Sequence, residues 1–110
     1  AQMEELKDST PQERATLQTE LMKSTLSLDG KASTAAAEIN LKYATETQAL
    51  MDSDSPKFEK LITFRKNSQA KDVELKAILT PEQYNLYEQK KSEMEAKVKQ
   101  KIIEKHQTAQ

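Results

Sequence analysis

Three prolines, each directly behind a hydroxyl residue, punctuate this chain: Thr10-Pro11, Ser55-Pro56 and Thr80-Pro81. Proline lacks an amide hydrogen and has φ preset near the helical value. It therefore fits the first turn of a helix, where that amide would have no intrahelical partner. A Ser or Thr just before it can accept from the free amides of the first turn. The single glycine, Gly30, follows Asp29, another capping residue. These four points predict helices over residues 11–25, 30–51, 56–78 and 81–106.

The apolar positions inside each segment recur in helical steps. Leu17 and Leu21 share a face in the first. Ala32, Ala36, Ile39, Tyr43 and Leu50 form the stripe of the second. The third places Phe58, Leu61, Ile62 and Phe64 in its first two turns, then a polar stretch over 65–72, then Leu75, Ile78 and Leu79. The fourth carries a seam of Tyr84, Tyr87, Met94, Val98 and Ile102, interrupted by Lys91, whose aliphatic stem can lie along it. No strand-like alternation competes, and connections this short make successive helices antiparallel neighbours.

Composition decides whether such helices close on themselves. Only 35% of the 110 residues are hydrophobic and 5% aromatic, while 32% are charged. A thin helical layer, a core shared between chains, or disorder would each fit. A formal net charge of −1 speaks against disorder, which usually accompanies strong uncompensated charge. One domain over 1–110 is expected, all-α, with four helices in long antiparallel hairpins. Residues 1–9 and 104–110 are expected to fray. Each hairpin has one modest apolar stripe, so an intertwined homodimer is the economical way to cover it.

Around Thr80 the sequence is more specific. Thr80 and Gln83 have the spacing of a reciprocal capping box, and Pro81 occupies the position where a missing amide costs nothing. Leu79 and Tyr84 have the spacing of a hydrophobic staple. Thr10 and Glu13 repeat the box at the first helix. These residues describe a corner between helices and perform no chemistry.

The text around the corner carries a resemblance. TPQERATLQTELM (10–22), LSLDGKASTAAAEINLKYA (26–44) and KDVELKAILTPEQYNLYEQKKSEM (71–94) resemble the Spy/CpxP family of periplasmic stress proteins, which is defined by LTxxQ motifs. One motif is intact as Leu79, Thr80, Pro81 and Gln83. The other is replaced by Leu28-Asp29-Gly30-Lys31-Ala32, where Asp29 can cap but Ala32 cannot return the bond a Gln would make.

The resemblance implies an antiparallel homodimer shaped like a cradle, an exported, ATP-independent holdase that binds unfolded or partly folded proteins on a concave, mixed apolar and basic helical surface. Candidate client-binding residues are Leu61, Phe64, Lys66, Tyr84, Tyr87, Lys91, Met94 and Val98. The same apolar residues could instead seal the core. The alternative function is a structural or regulatory helical dimer that binds one folded envelope partner, such as a stress-sensor domain. The chain begins Ala1-Gln2, which suits a mature end left by signal-peptide cleavage or the edge of a longer chain. The expected location is the periplasm.

Charge agrees with a binding role without requiring one. Residues 1–55 carry five Lys/Arg against ten Asp/Glu, whereas residues 56–110 carry twelve against eight. An acidic half and a basic half could pair in an antiparallel dimer, present a cationic surface, or simply solvate the helices. The basic half is interleaved with Glu, and the pI of 5.9 does not suit a phosphate binder, so nucleic acid is not expected as a partner. Nor is an enzyme expected. There is no Cys, no Gly-rich loop, and one His near the end with no second ligand at metal spacing. No cofactor and no membrane span are expected.

Overall fold

The computed structural model describes residues 9–108, and all of its regular structure there is helical. Four helices follow one another as α1 (Pro11–Leu26), α2 (Gly30–Asp52), α3 (Lys57–Ile78) and α4 (Pro81–Thr108). The expected segments are all present, each within two residues of its expected ends. The frayed ends expected for 1–9 and 104–110 lie outside the described residues at 1–8 and 109–110. Within them, Ser9 is buried and α4 continues as helix to Thr108.

The caps explain the boundaries. Thr10 Oγ1 accepts from the Glu13 amide at 3.0 Å, with Pro11 opening α1. Ser27 closes α1 in the left-handed region (φ 56°), and the next amide, Leu28 N–H, returns to the Lys23 carbonyl at 3.1 Å. Asp29 caps α2 by accepting from the Ala32 amide at 2.8 Å. At α3 the cap differs from expectation. Pro56 itself occupies the capping position, without a side-chain cap bond, and α3 begins at Lys57. Just upstream, Ser53 Oγ donates to the Leu50 carbonyl and accepts from the Ser55 amide.

The corner before α4 is a complete box. Thr80 Oγ1 accepts from the Gln83 amide at 3.1 Å, and Gln83 Oε1 accepts from the Thr80 amide at 3.0 Å. The other end of the Gln83 amide reaches the Leu26 carbonyl at 3.4 Å. It thereby ties the end of α1 to the start of α4 across 57 residues. Thr80→Ala is expected to cost about 1 kcal/mol of stability. The denaturation midpoint reads this, and a midpoint equal to that of the parent would show that the box contributes nothing.

Packing runs in the order α3–α2–α1–α4. α1 lies along α2, α2 along α3 and α1 along α4, whereas α3 and α4 meet over only a short stretch. The main core gathers where the two corners come together, from Met22, Leu26, Leu28, Ala36, Leu75, Leu79, Tyr87 and Met94. Ala32, Ile39, Ile78 and Tyr84 pack against it. The radius of gyration, 14.0 Å, is close to the ~13 Å of a compact domain near this length.

Two expected faces sit differently. In α1 the buried apolar residues are Ala15, Met22 and Leu26, one position round from the expected Leu17 and Leu21, which are only partly covered. The turn makes room for Arg14, which is buried. In α3 the apolar start faces outward: Phe58 is 72% exposed, Leu61 41% and Ile62 40%. Leu75, fully buried, does the packing instead.

Polar groups fasten the end away from the corners. Arg14 donates to the Ser9 carbonyl and Oγ and to Gln48 Oε1, each at 2.9 Å, and to the Ala44 carbonyl at 3.5 Å. Asn40, fully buried, donates to Thr19 Oγ1 at 2.9 Å. Glu13, instead of completing a box with Thr10, meets Lys105 at 2.7 Å and His106 at 3.1 Å, so the start of α1 is tied to the end of α4.

The hydrogen bond from Lys105 is the main cause holding the Glu13 carboxyl below its ordinary value of 4.5, with His106 adding to it. Because the folded value is the lower one, the unfolded chain binds more protons between the two. This contribution is therefore full above pH 4.5 and is lost as pH falls through the folded value. Lys105 is mostly exposed and screened, so Glu13→Gln should cost about 0.5–1 kcal/mol at neutral pH and nothing in strong acid. Thermal melts of both proteins against pH check this, and a gap between them that persists in acid would disprove it.

Candidate functional site

Two surfaces of this fold offer somewhere to bind. The first is a cleft of ≈ 160 Å³ between α3 and α4, floored by α1 and α2. It exists because the outer helices diverge from their shared corner. Its walls are apolar where Met22, Ala44, Phe64, Met94 and Val98 reach in. Asp72 of α3 bridges the cleft to α4, accepting from the Tyr87 hydroxyl at 2.8 Å and the Lys91 ammonium at 2.7 Å. Burial, helped by the Asp72 carboxylate, pushes the Tyr87 phenol far above its ordinary range, so it stays a donor. Lys91 also sits 6.0 Å from the centre of the Tyr87 ring.

A second tie runs between α2 and α3. Glu74 accepts from the Tyr43 hydroxyl and from Lys42 at 3.0 Å. The hydrogen bond from Tyr43, then the one from Lys42, lowers the Glu74 carboxyl, and the Tyr43 phenol is raised correspondingly. Both bridges orient α3 about its long axis, with Phe64, Asn67, Ser68, Lys71 and Leu75 turned inward.

The second surface is the outer face of α3 that this orientation leaves to solvent. Phe58, Ile62, Arg65, Gln69, Val73 and Lys76 follow one another in three- and four-residue steps, and all are exposed. Leu61 and Lys66 flank them. The face carries apolar groups and cations together, and none of these residues is acidic. An exposed row of that kind is unusual, because Phe58 and Val73 are 72% and 70% exposed on a chain with little apolar surface to spare.

The eight candidate residues therefore separate. Phe64, Tyr87, Lys91, Met94 and Val98 come together around the cleft. Tyr87, Met94 and Val98 are buried there and serve as core. Leu61 and Lys66 lie on the outer side of α3, while Tyr84 packs partly buried beside Tyr87, with ring centres 5.9 Å apart. The motif residues Leu79, Thr80, Pro81 and Gln83 form the corner and line neither surface.

Sequence reading passed over Phe58, Ile62 and Val73 as surface residues. Their signal was available in the basic residues at the same helical steps, Arg65 and Lys76. Among the described residues no group of three His, Cys, Asp or Glu side chains could hold a metal ion. No helix among them is long and apolar enough to cross a membrane.

None of the curated proteins matches this chain. No solved structure matches it either. One family profile does, over residues 1–87, which takes in α1, α2, α3 and the first turns of α4. Its description, Domain of unknown function (DUF4890), carries no activity. With most of its length so matched, the chain belongs to the DUF4890 family.

Proposed function

We propose that this protein is an ATP-independent holdase that binds non-native polypeptides in the periplasm, with two copies paired as a homodimer. The outer face of α3 is the observation that carries the reading: Phe58, Leu61, Ile62 and Val73 lie exposed among Arg65, Lys66 and Lys76. Unfolded chains present apolar side chains and scattered carboxylates without fixed geometry. A row of flexible cations and apolar groups can meet both without a shaped pocket. The cations attract at a distance and weaken with salt, whereas the apolar contacts hold once made. The resemblance of the LTPEQ corner and its neighbours to Spy/CpxP proteins supports the periplasmic setting and the pairing. It supports a client surface as well, here placed on α3.

Light scattering from a chemically denatured client diluted into buffer without nucleotide tests the reading. The protein at an equimolar ratio should suppress aggregation, more strongly at low salt. The double variant Phe58→Ser, Ile62→Ser should keep its helical circular dichroism and lose most of the suppression. Aggregation unchanged by the parent protein at both salt levels would end the holdase reading. A saturable complex with one folded envelope protein, together with indifference to denatured clients, would replace it with a regulatory helical dimer.

A further inference from the structure

The cleft contains one group that helix packing does not account for. Lys71 projects from α3 on the same side as Phe64 and Ser68, partly buried, with its side chain lining the cleft between the helices. An ammonium has three hydrogens to donate. Among the described residues this one has a single, long hydrogen bond, 3.5 Å to Gln18 Oε1 across the cleft. Two carboxylates line the cleft with it: Asp72 is already committed to Tyr87 and Lys91, and Glu95 acts on Lys71 through its charge. Burial accordingly lowers the Lys71 pKa, and the charges of Glu95 and Asp72 only partly oppose the shift. A partly desolvated cation with so few hydrogen bonds gains from an anion that enters the cleft beside it.

The space beside it has a definite chemistry. Its ≈ 160 Å³ is close to the ~150 Å³ of an apolar cavity known to accept benzene. Thioether, phenyl and branched aliphatic groups surround it, from Met22, Phe64, Met94 and Val98. Of the other cations that line the cleft, Arg14 is already bonded to Ser9, Gln48 and the Ala44 carbonyl and Lys91 to Asp72, while Lys99 stands at the α4 wall. One ammonium with a single long hydrogen bond suits a monoanion better than a phosphate, which needs several donors.

We propose that the cleft is a binding site for a small organic carboxylate, whose apolar body, about the size of one six-membered ring, sits between Phe64 and Met94 with its carboxylate on Lys71 Nζ. The site is separate from the outer face of α3, and its occupancy does not depend on client binding.

Benzoate and its neutral counterpart benzamide are the probes. In an NMR titration at fixed ionic strength, benzoate at millimolar concentrations should shift amide signals of Phe64, Lys71 and Met94 saturably. It should also shift the Lys71 Cε signal, which reports on the ammonium directly. Benzamide should bind roughly tenfold more weakly, since a hydrogen bond to a charged group is worth at least that much. Lys71→Met should reduce benzoate to the level of benzamide while leaving helical circular dichroism intact. Equal affinity for the two probes would overturn the proposal. So would a preference for benzoate that survives Lys71→Met, or the absence of any saturable shift at the Lys71 Cε, a readout that needs no variant.

Discussion

Leu75→Ala should lower the unfolding free energy by about 3–4 kcal/mol, a large fraction of what a marginally stable domain possesses. Leu75 is fully buried at the meeting of the two corners, in a cluster with Met22, Leu26, Leu28, Leu79 and Tyr87. Removing its branched end withdraws three carbons from that cluster and leaves a void that helices held by caps on both sides cannot readily close. Ala36, the fully buried neighbour in the same cluster, has no longer side chain to swing in. The midpoint of urea unfolding should fall sharply with little change in the denaturant slope. Val73→Ala, two residues away but 70% exposed, should move it by less than about 0.5 kcal/mol. Comparable losses at both positions would mean that α3 packs through a different face.

Arg14→Ala should cost about 2–4 kcal/mol for a different reason. The guanidinium is 2% exposed as a residue and joins the segment before α1 to the second half of α2 through Ser9, Gln48 and the Ala44 carbonyl. Truncation removes the donor that Arg14 supplies to the Ser9 carbonyl, together with the long stem that fills the gap. Arg14→Lys should recover only part of the loss, because one ammonium cannot reproduce the planar fork that reaches Ser9 on one side and Ala44 and Gln48 on the other. Thermal melts of the two variants distinguish the terms. If lysine restores the full melting temperature, stem packing rather than the hydrogen-bond fork holds this end together.

Local chemistry was legible in the sequence because caps act within a few residues. Thr10, Asp29 and Thr80 each satisfy amides in their own first turn, so their spacing alone located three helix starts. Pro56 shows where that logic stops. Ser55 was the expected cap, yet the capping position falls one residue later, on Pro56, whose side chain cannot accept from the amides. The fourth-helix seam was legible too, since Tyr87, Met94, Val98 and Ile102 recur on one stripe and are all buried.

What pairs with what was not legible. Arg14 meets Gln48 across 34 residues and Lys71 meets Gln18 across 53, and no local pattern distinguishes these side chains from solvated ones. The direction in which the start of α3 faces was equally hidden. Phe58, Leu61 and Ile62 look like core by composition, yet Glu74 and Asp72, anchored to α2 and α4, rotate the helix so that they face outward. The candidate site was thus half visible: its α4 wall in the spacing, its Lys71 only in three dimensions.

The packing order α3–α2–α1–α4 makes this array an open strip rather than a closed ring. A ring of four helices buries its interior behind four interfaces, and a guest can enter only by prising one apart. Here the fourth interface is largely absent, and two hydrogen bonds on the Asp72 carboxylate span the gap. Traffic into the interior therefore requires no local unfolding. The lifetime of anything held there is set by its own contacts, so exchange with solvent should be rapid even when the helices themselves are long-lived.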